Sequence, residues 1–200
     1  MYTLSFADKK KVRKPLLWVG MASMFMAFAG LISGYIVSRK ALLQEGLWVV
    51  FDLPQAFYYS TGLLFISSLL LVLASRKIKT TSSRSAAPFL FLALLCGLGF
   101  LYFQLLGWSE LKLAGVFFTG EGSFTSGSWV YAITFFHLLH LSAGLIVLII
   151  TSLRAYLNKY SVENRLGFDI ASQFWHFLGT VWLCLFLFFA IYSLNLRSQL

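Results

Sequence analysis

Five long apolar runs constrain the fold of this chain more than any other feature. They span residues 16–37, 57–74, 86–106, 129–153 and 170–194. An apolar run of about 20 residues crosses a bilayer as an α-helix, which rises about 1.5 Å per residue. Hydrophobic residues make up 59% of the chain and charged residues 12%, a balance that a water-soluble domain cannot bury. We predict an all-α polytopic membrane protein, a bundle of five transmembrane helices.

The polar segment before the first run is basic. Residues 1–15 contain Lys9, Lys10, Lys11, Arg13 and Lys14. The apolar run that follows is longer than the core of about 7–15 residues found in a signal peptide, so we expect a retained first span. The predicted organisation is a basic N-terminal segment, 1–15, and one membrane domain, 16–200.

The loops differ in charge on the two sides of the membrane. If the spans alternate in direction, 12 of the 16 Lys and Arg residues fall on the side of the N-terminus. Cytoplasmic loops carry the excess of Lys and Arg, which predicts a cytoplasmic N-terminus and an outer C-terminus. The net charge of +9 is explained by these loops, and no nucleic-acid partner is predicted.

The apolar runs contain no acidic residue near their centres, because all seven Asp and Glu residues lie in loops or near span ends. Proton pumps and ion-coupled transporters hold ionisable groups at membrane depth to load and release the ion. This absence argues against a pump or an independent transporter. Cys96 and Cys184 have no CxxC partner or zinc-type spacing, so no metal site is predicted.

All three histidines lie in the last two apolar runs. His137 and His140 are three residues apart and share one face of the fourth helix, while His176 is near the inner end of the fifth. Each imidazole could hydrogen-bond to a neighbouring helix, carry protons, or ligate haem or copper. Three histidines can supply at most one axial haem pair. The residues themselves leave these alternatives open.

Small residues predict close helix packing at two places. Gly30 and Gly34 form a GxxxG pair on the first helix, and Gly144 adjoins Ser142 and Ala143 on the fourth. Such faces let two membrane helices approach closely. The partner helix can lie within the bundle or in another chain.

Motifs on all five spans resemble subunit III of the haem–copper terminal oxidases. The last span is similar to that family's WHFxDxxWxxLF pattern, at Trp175, His176, Phe177, Trp182, Leu185 and Phe186. The fourth is similar to TGxHGxHxxxG, at Thr134, His137, His140 and Gly144. "FAGLISGYIVSR" (28–39) resembles FAGxFxAYxxxR, "STGLLFISS" (60–68) resembles NTxxLxxSS, and Gln104 matches a glutamine that closes the next helix.

The chain departs from the family pattern at both of its intramembrane carboxylates. Met24 stands where the family commonly has a glutamate, and Gly179 where the last-helix motif has aspartate. Phe135 and Leu138 replace the two inner glycines of the fourth-span motif. No carboxylate role in the membrane can therefore be transferred to this chain. Five spans resemble a short form of the family that lacks its first two helices.

The resemblance implies a non-catalytic accessory subunit of a bacterial respiratory oxidase, located in the cytoplasmic membrane. It implies direct packing on subunit I, association with subunit II and other subunits, bound phospholipid, and support of sustained turnover and proton uptake. Haem and copper would belong to the partner subunits, with no catalytic, cofactor or metal residue here. The residues expected to hold the helices together are His137, His140, His176, Trp175, Gln104 and Thr134, with Gly30, Gly34 and Gly144 at packing contacts.

Two alternatives remain at this stage. One is a related subunit of a quinol oxidase or nitric oxide reductase, since the electron donor is selected by other chains. The other, of a different class, is a haem-b membrane anchor that uses His176 with His137 or His140.

Overall fold

The described part of the chain consists of five long helices and no strand, which confirms the predicted fold class. The computed structural model describes the backbone of residues 6–197 and the side chains of residues 11–193. The helices are α1 (Phe6–Gln44), α2 (Gln55–Thr80), α3 (Ser83–Leu113), α4 (Thr125–Tyr156) and α5 (Leu166–Arg197). Each is long and apolar enough to cross a membrane.

Every helix extends beyond its apolar run. Helix α1 passes without interruption from Phe6 through the lysine-rich segment and Pro15 into the first span, so residues 15 and 16 do not mark a structural break. Residues 1–5 of the predicted N-terminal segment and the side chains of Lys9 and Lys10 lie outside the described part. Lysine and arginine are good helix formers whose long stems keep the charge in water, so a helix can continue past the hydrocarbon edge.

Helices α2 to α5 form a closed ring, and α1 lies outside it. Within the ring α2 contacts α3, α3 contacts α4, α4 contacts α5, and α5 returns to α2, whereas α1 contacts only α4 and α5. Only 11% of the residues in the apolar window of α1 are buried, compared with 44% in α2 and α4. Most of the α1 surface is therefore available to lipid or to another protein.

The two ends of the bundle differ in charge. One end, here the basic end, holds the start of α1, the α2–α3 turn and the α4–α5 loop. A hydrogen bond from the Arg84 N–H to Asn158 Oδ1 (3.3 Å) joins the start of α3 to the α4–α5 loop. Its described charged side chains are Lys11, Arg13, Lys14, Arg76, Lys77, Lys79, Arg84, Arg154, Lys159 and Arg165, with Glu163 and Asp169. The opposite, acidic end carries Glu45, Asp52, Glu110 and Glu121 beside Arg39, Lys40 and Lys112.

Glycines allow large side chains to pack between the helices α2 to α5. A Cβ at Gly97 of α3 would lie 2.7 Å from Cη2 of Trp175, which is 1% exposed. A Cβ at Gly144 would lie 2.6 Å from Cδ1 of Leu178 and 3.5 Å from Trp175. The 2.7 Å distance at Gly97 and the 2.6 Å distance at Gly144 are shorter than ordinary van der Waals contact. Helix α5 therefore packs this closely on α3 and α4 only because glycine has no side chain at these two positions.

The GxxxG pair of α1 is used asymmetrically. A Cβ at Gly34 would lie 2.6 Å from Cη2 of Trp129 on α4, whereas a Cβ at Gly30 would have no atom within 4 Å.

We predict that Gly34→Leu lowers the free energy of unfolding by about 1–3 kcal/mol, because the larger side chain displaces Trp129. Gly30→Leu, the matched control, should change it by less than about 0.5 kcal/mol. Denaturation of the purified chain in mild detergent measures both, and equal losses would contradict the asymmetry.

Candidate functional site

Polar side chains join the helices of the ring across its buried interior. The Gln104 Nε2–H donates to Ser60 Oγ at 2.9 Å, linking α3 to α2. The Trp182 indole N–H donates to Thr61 Oγ1 at 3.0 Å, linking α5 to α2. Gln104, Ser60 and Trp182 are fully buried. A polar group in the hydrocarbon region must find its partner within the protein, so these bonds specify which helices lie side by side.

Both links end on one carbonyl group of α2. The hydroxyls of Ser60 and Thr61 donate to the Phe57 carbonyl oxygen at 2.9 and 2.7 Å. Because each hydroxyl also accepts a hydrogen bond, α3 and α5 are held to the same turn of α2. The second amide atom of Gln104, Oε1, has no hydrogen-bond partner among the described residues.

A second set of polar contacts joins α3 to α4 near the acidic end. The Trp108 indole N–H donates to Thr134 Oγ1 at 3.0 Å, and Thr134 donates to the Val130 carbonyl of its own helix at 2.7 Å. The Tyr131 hydroxyl lies 3.1 Å from two carbonyl oxygens, that of Trp108 in α3 and that of Val116 in the loop that follows α3, and its O–H is shared between them. Thr134 thus lies at a helix–helix contact.

His137 lies inside an aromatic cluster rather than a hydrogen-bond network. The imidazole is fully buried, and neither ring nitrogen has a hydrogen-bond partner among the described residues. Its ring centroid lies 5.3 Å from Trp182, 6.0 Å from Phe28 and 6.1 Å from Phe100. These rings belong to α5, α1 and α3, so His137 is the point where α4 meets three other helices.

The other two histidines also make no hydrogen bond to a neighbouring helix among the described residues, which was one of the roles that the sequence left open. The His140 Nδ1 lies 2.7 Å from the Phe136 carbonyl oxygen of its own helix, while its ring contacts Phe28 at 5.5 Å. The half-buried His176 lines a groove between α2 and α5, and its imidazole has no hydrogen bond to a described residue. A polar side chain in a helix can bond to the carbonyl one turn earlier, and His140 makes a local bond of this kind.

Trp175 contacts α3 and α4 by packing alone. Its ring fills the space left by Gly97 and Gly144, but its indole N–H is buried without a partner among the described residues. The described residues also contain no group of three or more His, Cys, Asp and Glu side chains that could hold a metal ion.

Grooves follow the contact between α1 and α5 over most of its length. Toward the basic end, a groove of about 410 Å³ is lined by Leu17, Met24, Phe174 and their neighbours. Further along, one of about 430 Å³ is lined by Phe28, Ile32, Val181 and others. At the basic end a pocket of about 610 Å³ is bordered by Arg13, Arg154, Lys159, Tyr160 and Asn164. Arg13 and Gly167 border both this pocket and the first groove.

Comparison with known proteins identifies the family. The family model described as cytochrome c oxidase subunit III matches residues 50–194, which include all of α2, α3 and α4 and most of α5. The chain belongs to the cytochrome c oxidase subunit III family. The match covers the closed ring and its polar links, whereas α1 lies outside it.

Individual relatives match over different lengths. The probable cytochrome c oxidase subunit 3 of Rickettsia bellii is 28% identical over 169 residues, which cover 82% of this chain and 58% of the relative. The cytochrome c oxidase subunit 3 of Locusta migratoria is 33% identical over 138 residues, which cover 66% of this chain and 48% of the relative. The cytochrome c oxidase subunit 3 of Pylaiella littoralis is 44% identical over 61 residues, which cover 30% of this chain and 22% of the relative. These matches span from about a fifth to somewhat over half of the relatives' own length.

Sequence reasoning missed the residues that receive the buried donors. Ser60 and Thr61 are in the "STGLLFISS" segment that resembles the subunit III family, but nothing in their spacing indicates the partners Gln104 and Trp182, which are 44 and 121 residues away. Trp108 was likewise not identified as a donor to another helix. The available signal was the presence of hydroxyl and indole groups in apolar runs, which indicates that each group needs a partner but not which residue that partner is.

Thr61 offers a direct test of the polar links. We predict that Thr61→Val, nearly equal in shape, lowers the free energy of unfolding by about 0.6–2 kcal/mol, because the Trp182 N–H loses its acceptor in an apolar interior. Thr180→Val is the control, since the Thr180 hydroxyl bonds only to the His176 carbonyl of its own helix. Denaturant titration of the purified chain measures both. Equal effects would show that the link to Trp182 contributes no stability.

Proposed function

We propose that this chain is the accessory subunit III of a bacterial aerobic haem–copper oxidase in the cytoplasmic membrane. The observation that carries the proposal is the subunit III match over residues 50–194. In this role the chain contributes no catalytic centre. It packs on subunit I, stands in one complex with subunit II and other subunits, and supports stable turnover and proton uptake by its neighbours.

The proposed orientation has the basic end in the cytoplasm. Ten described Lys and Arg side chains lie at this end and three at the other, which agrees with the positive-inside rule. The buried residues proposed to hold the bundle in shape are Gln104, Thr134, His137 and Trp175, with His140 and His176 at its surface. Gly34 and Gly144 are the proposed close-packing positions, and Gly30 faces open space.

Bound phospholipid is the second part of the proposal. The α1–α5 grooves are apolar and extend over much of the bundle's length, as an acyl chain requires, and the basic pocket at their end offers Arg13, Arg154 and Lys159. Tyr160 borders this pocket, and its phenol, which is protonated at neutral pH, can donate a hydrogen bond to a phosphate. The charges favour an anionic headgroup.

Lipid retention depends on the basic pocket in this proposal. Arg154→Gln should lower the amount of anionic phospholipid that copurifies with the chain by about fivefold, because one basic group near the lipid headgroups contributes about 1 kcal/mol. Arg76→Gln removes a charge at the same end but outside the pocket and should leave the lipid content unchanged. Quantitative mass spectrometry of extracted lipids makes the comparison. Equal lipid content in both variants would contradict this site.

The decisive experiment is purification of the tagged chain in mild detergent, with protein mass spectrometry and a reduced-minus-oxidised spectrum. We expect a large haem–copper subunit to copurify, with a-, b- or o-type haem bands that also separate cytochrome c oxidase from quinol oxidase. A chain that purifies alone and carries its own haem would instead support the membrane-anchor function. A chain that purifies alone and colourless would contradict both functions.

A further inference from the structure

A groove that contains several polar side chains lies on the outer surface of the helix ring between α2 and α5. Its volume is about 160 Å³, and it is lined by Thr61, Leu64, Phe65 and Ser68 of α2 and by His176, Gly179, Thr180 and Leu183 of α5. Ser68 is near the middle of α2, and Gly179 is near the middle of α5. The groove therefore lies at the depth of the hydrocarbon core, on a surface that the other helices of this chain do not cover.

Two polar side chains in this groove have no partner. Neither the Ser68 hydroxyl nor the His176 imidazole hydrogen-bonds to a described residue, and both are half-buried. The hydroxyls of Thr61 and Thr180 are already bonded, to the Phe57 and His176 carbonyls. An imidazole and a hydroxyl facing hydrocarbon are costly, and such groups usually face a protein partner or a water-filled cavity.

Gly179 leaves room for a side chain in the groove. A Cβ there would lie 3.5 Å from Leu64 Cδ2 and 3.8 Å from Ser68 Oγ, which are ordinary contacts. Packing therefore does not require glycine at this position, in contrast to Gly97 and Gly144. The pattern that this span resembles has aspartate here, so the groove is open where a carboxyl group would face Ser68.

We infer that this groove receives an acidic side chain from a transmembrane helix of a partner subunit. A carboxyl group accepts hydrogen bonds from both the imidazole and the serine hydroxyl, and these are the two groups left unbonded. The acidic residues of this chain lie in its loops or near helix ends, so the partner must supply the carboxyl. The inference rests on the proposed function, because it assigns one docking face within the oxidase complex.

The depth and chemistry of the groove favour a protein helix over lipid. Phospholipid headgroups remain at the membrane surface, whereas the groove is near the helix midpoints. Acyl chains cannot bond to Ser68 or His176. No basic side chain lines the groove, in contrast to the pocket at the basic end.

Photo-crosslinking identifies the occupant directly. Phe65, which is 59% exposed at the groove, is replaced by p-benzoylphenylalanine in the full complex, and the crosslinked peptide is sequenced. We expect a transmembrane peptide of a partner subunit that contains Asp or Glu. The same replacement at Tyr102 of α3, which is 63% exposed, is the control and should not give that peptide. Crosslinks only to lipid, or to a helix without an acidic residue, would overturn the inference.

Gly179 variants test the chemistry of the contact. Gly179→Asp should reduce the yield of that crosslink about tenfold, because it fills the groove and places a second carboxyl beside the first. Gly179→Asn fills nearly the same volume without the charge and should reduce the yield less. Equal reduction by both, or by neither, would overturn a carboxyl partner. Unfolding of the isolated chain checks that neither variant is destabilised, and Ser68→Ala replaces them if either is.

The two proposals fail in different ways. If the wild-type chain copurifies with a haem–copper subunit but the Phe65 probe gives no acidic helix, only the present inference is wrong. If the wild-type chain captures no haem–copper subunit, the proposed function fails, and the docking face within an oxidase fails with it.

Discussion

Hydrocarbon supplies no hydrogen bonds, and this constraint explains the interior of the bundle. Each buried donor must meet an acceptor in its own helix or in another helix, or remain unpaired at a cost. Gln104 and Trp182 meet hydroxyls of Ser60 and Thr61, which in turn bond to one carbonyl of α2. Where no acceptor is available, as at the Trp175 N–H, aromatic packing against Gly97 and Gly144 takes over. The closed ring of helices is thus specified by a few polar contacts and by the shapes of large aromatic side chains.

The family match and the packing divide the chain in the same way. The residues that the subunit III family model matches, 50–194, make up the closed ring, whereas α1 is mostly exposed and, among the described helices, contacts only α4 and α5. The ring has the features of a self-contained unit, since Gln104 of α3 and Trp182 of α5 both donate to α2 inside it. Two grooves open on the surface of the bundle, one between α1 and α5 and one between α2 and α5 at His176. They differ in chemistry, because the first is almost entirely apolar and the second contains hydroxyl and imidazole side chains, so they suit different occupants.

The sequence predicted the five helices because the length and apolarity of a membrane span are local properties. It located the helix ends poorly, since charged residues such as Lys11 extend a helix beyond the membrane without an apolar signal. Gln104 and Thr134 lie at helix contacts, because a polar group in an apolar run needs a partner. The identity of each partner depends on tertiary structure. For the same reason the sequence could not indicate that His140 bonds to its own helix or that His137 lies among aromatic rings.

The position of α1 has a consequence for synthesis. A membrane protein is made from its N-terminus, so α1 enters the bilayer before α2 to α5, but its helix contacts among the described residues are with α4 and α5, and α4 begins only at Thr125. Until then neither of these two partner helices is present, while α2 and α3 can pair as soon as their short turn is made. Of these five helices, the one made first is therefore among the last to be docked, and its largely apolar surface is compatible with lipid during that interval.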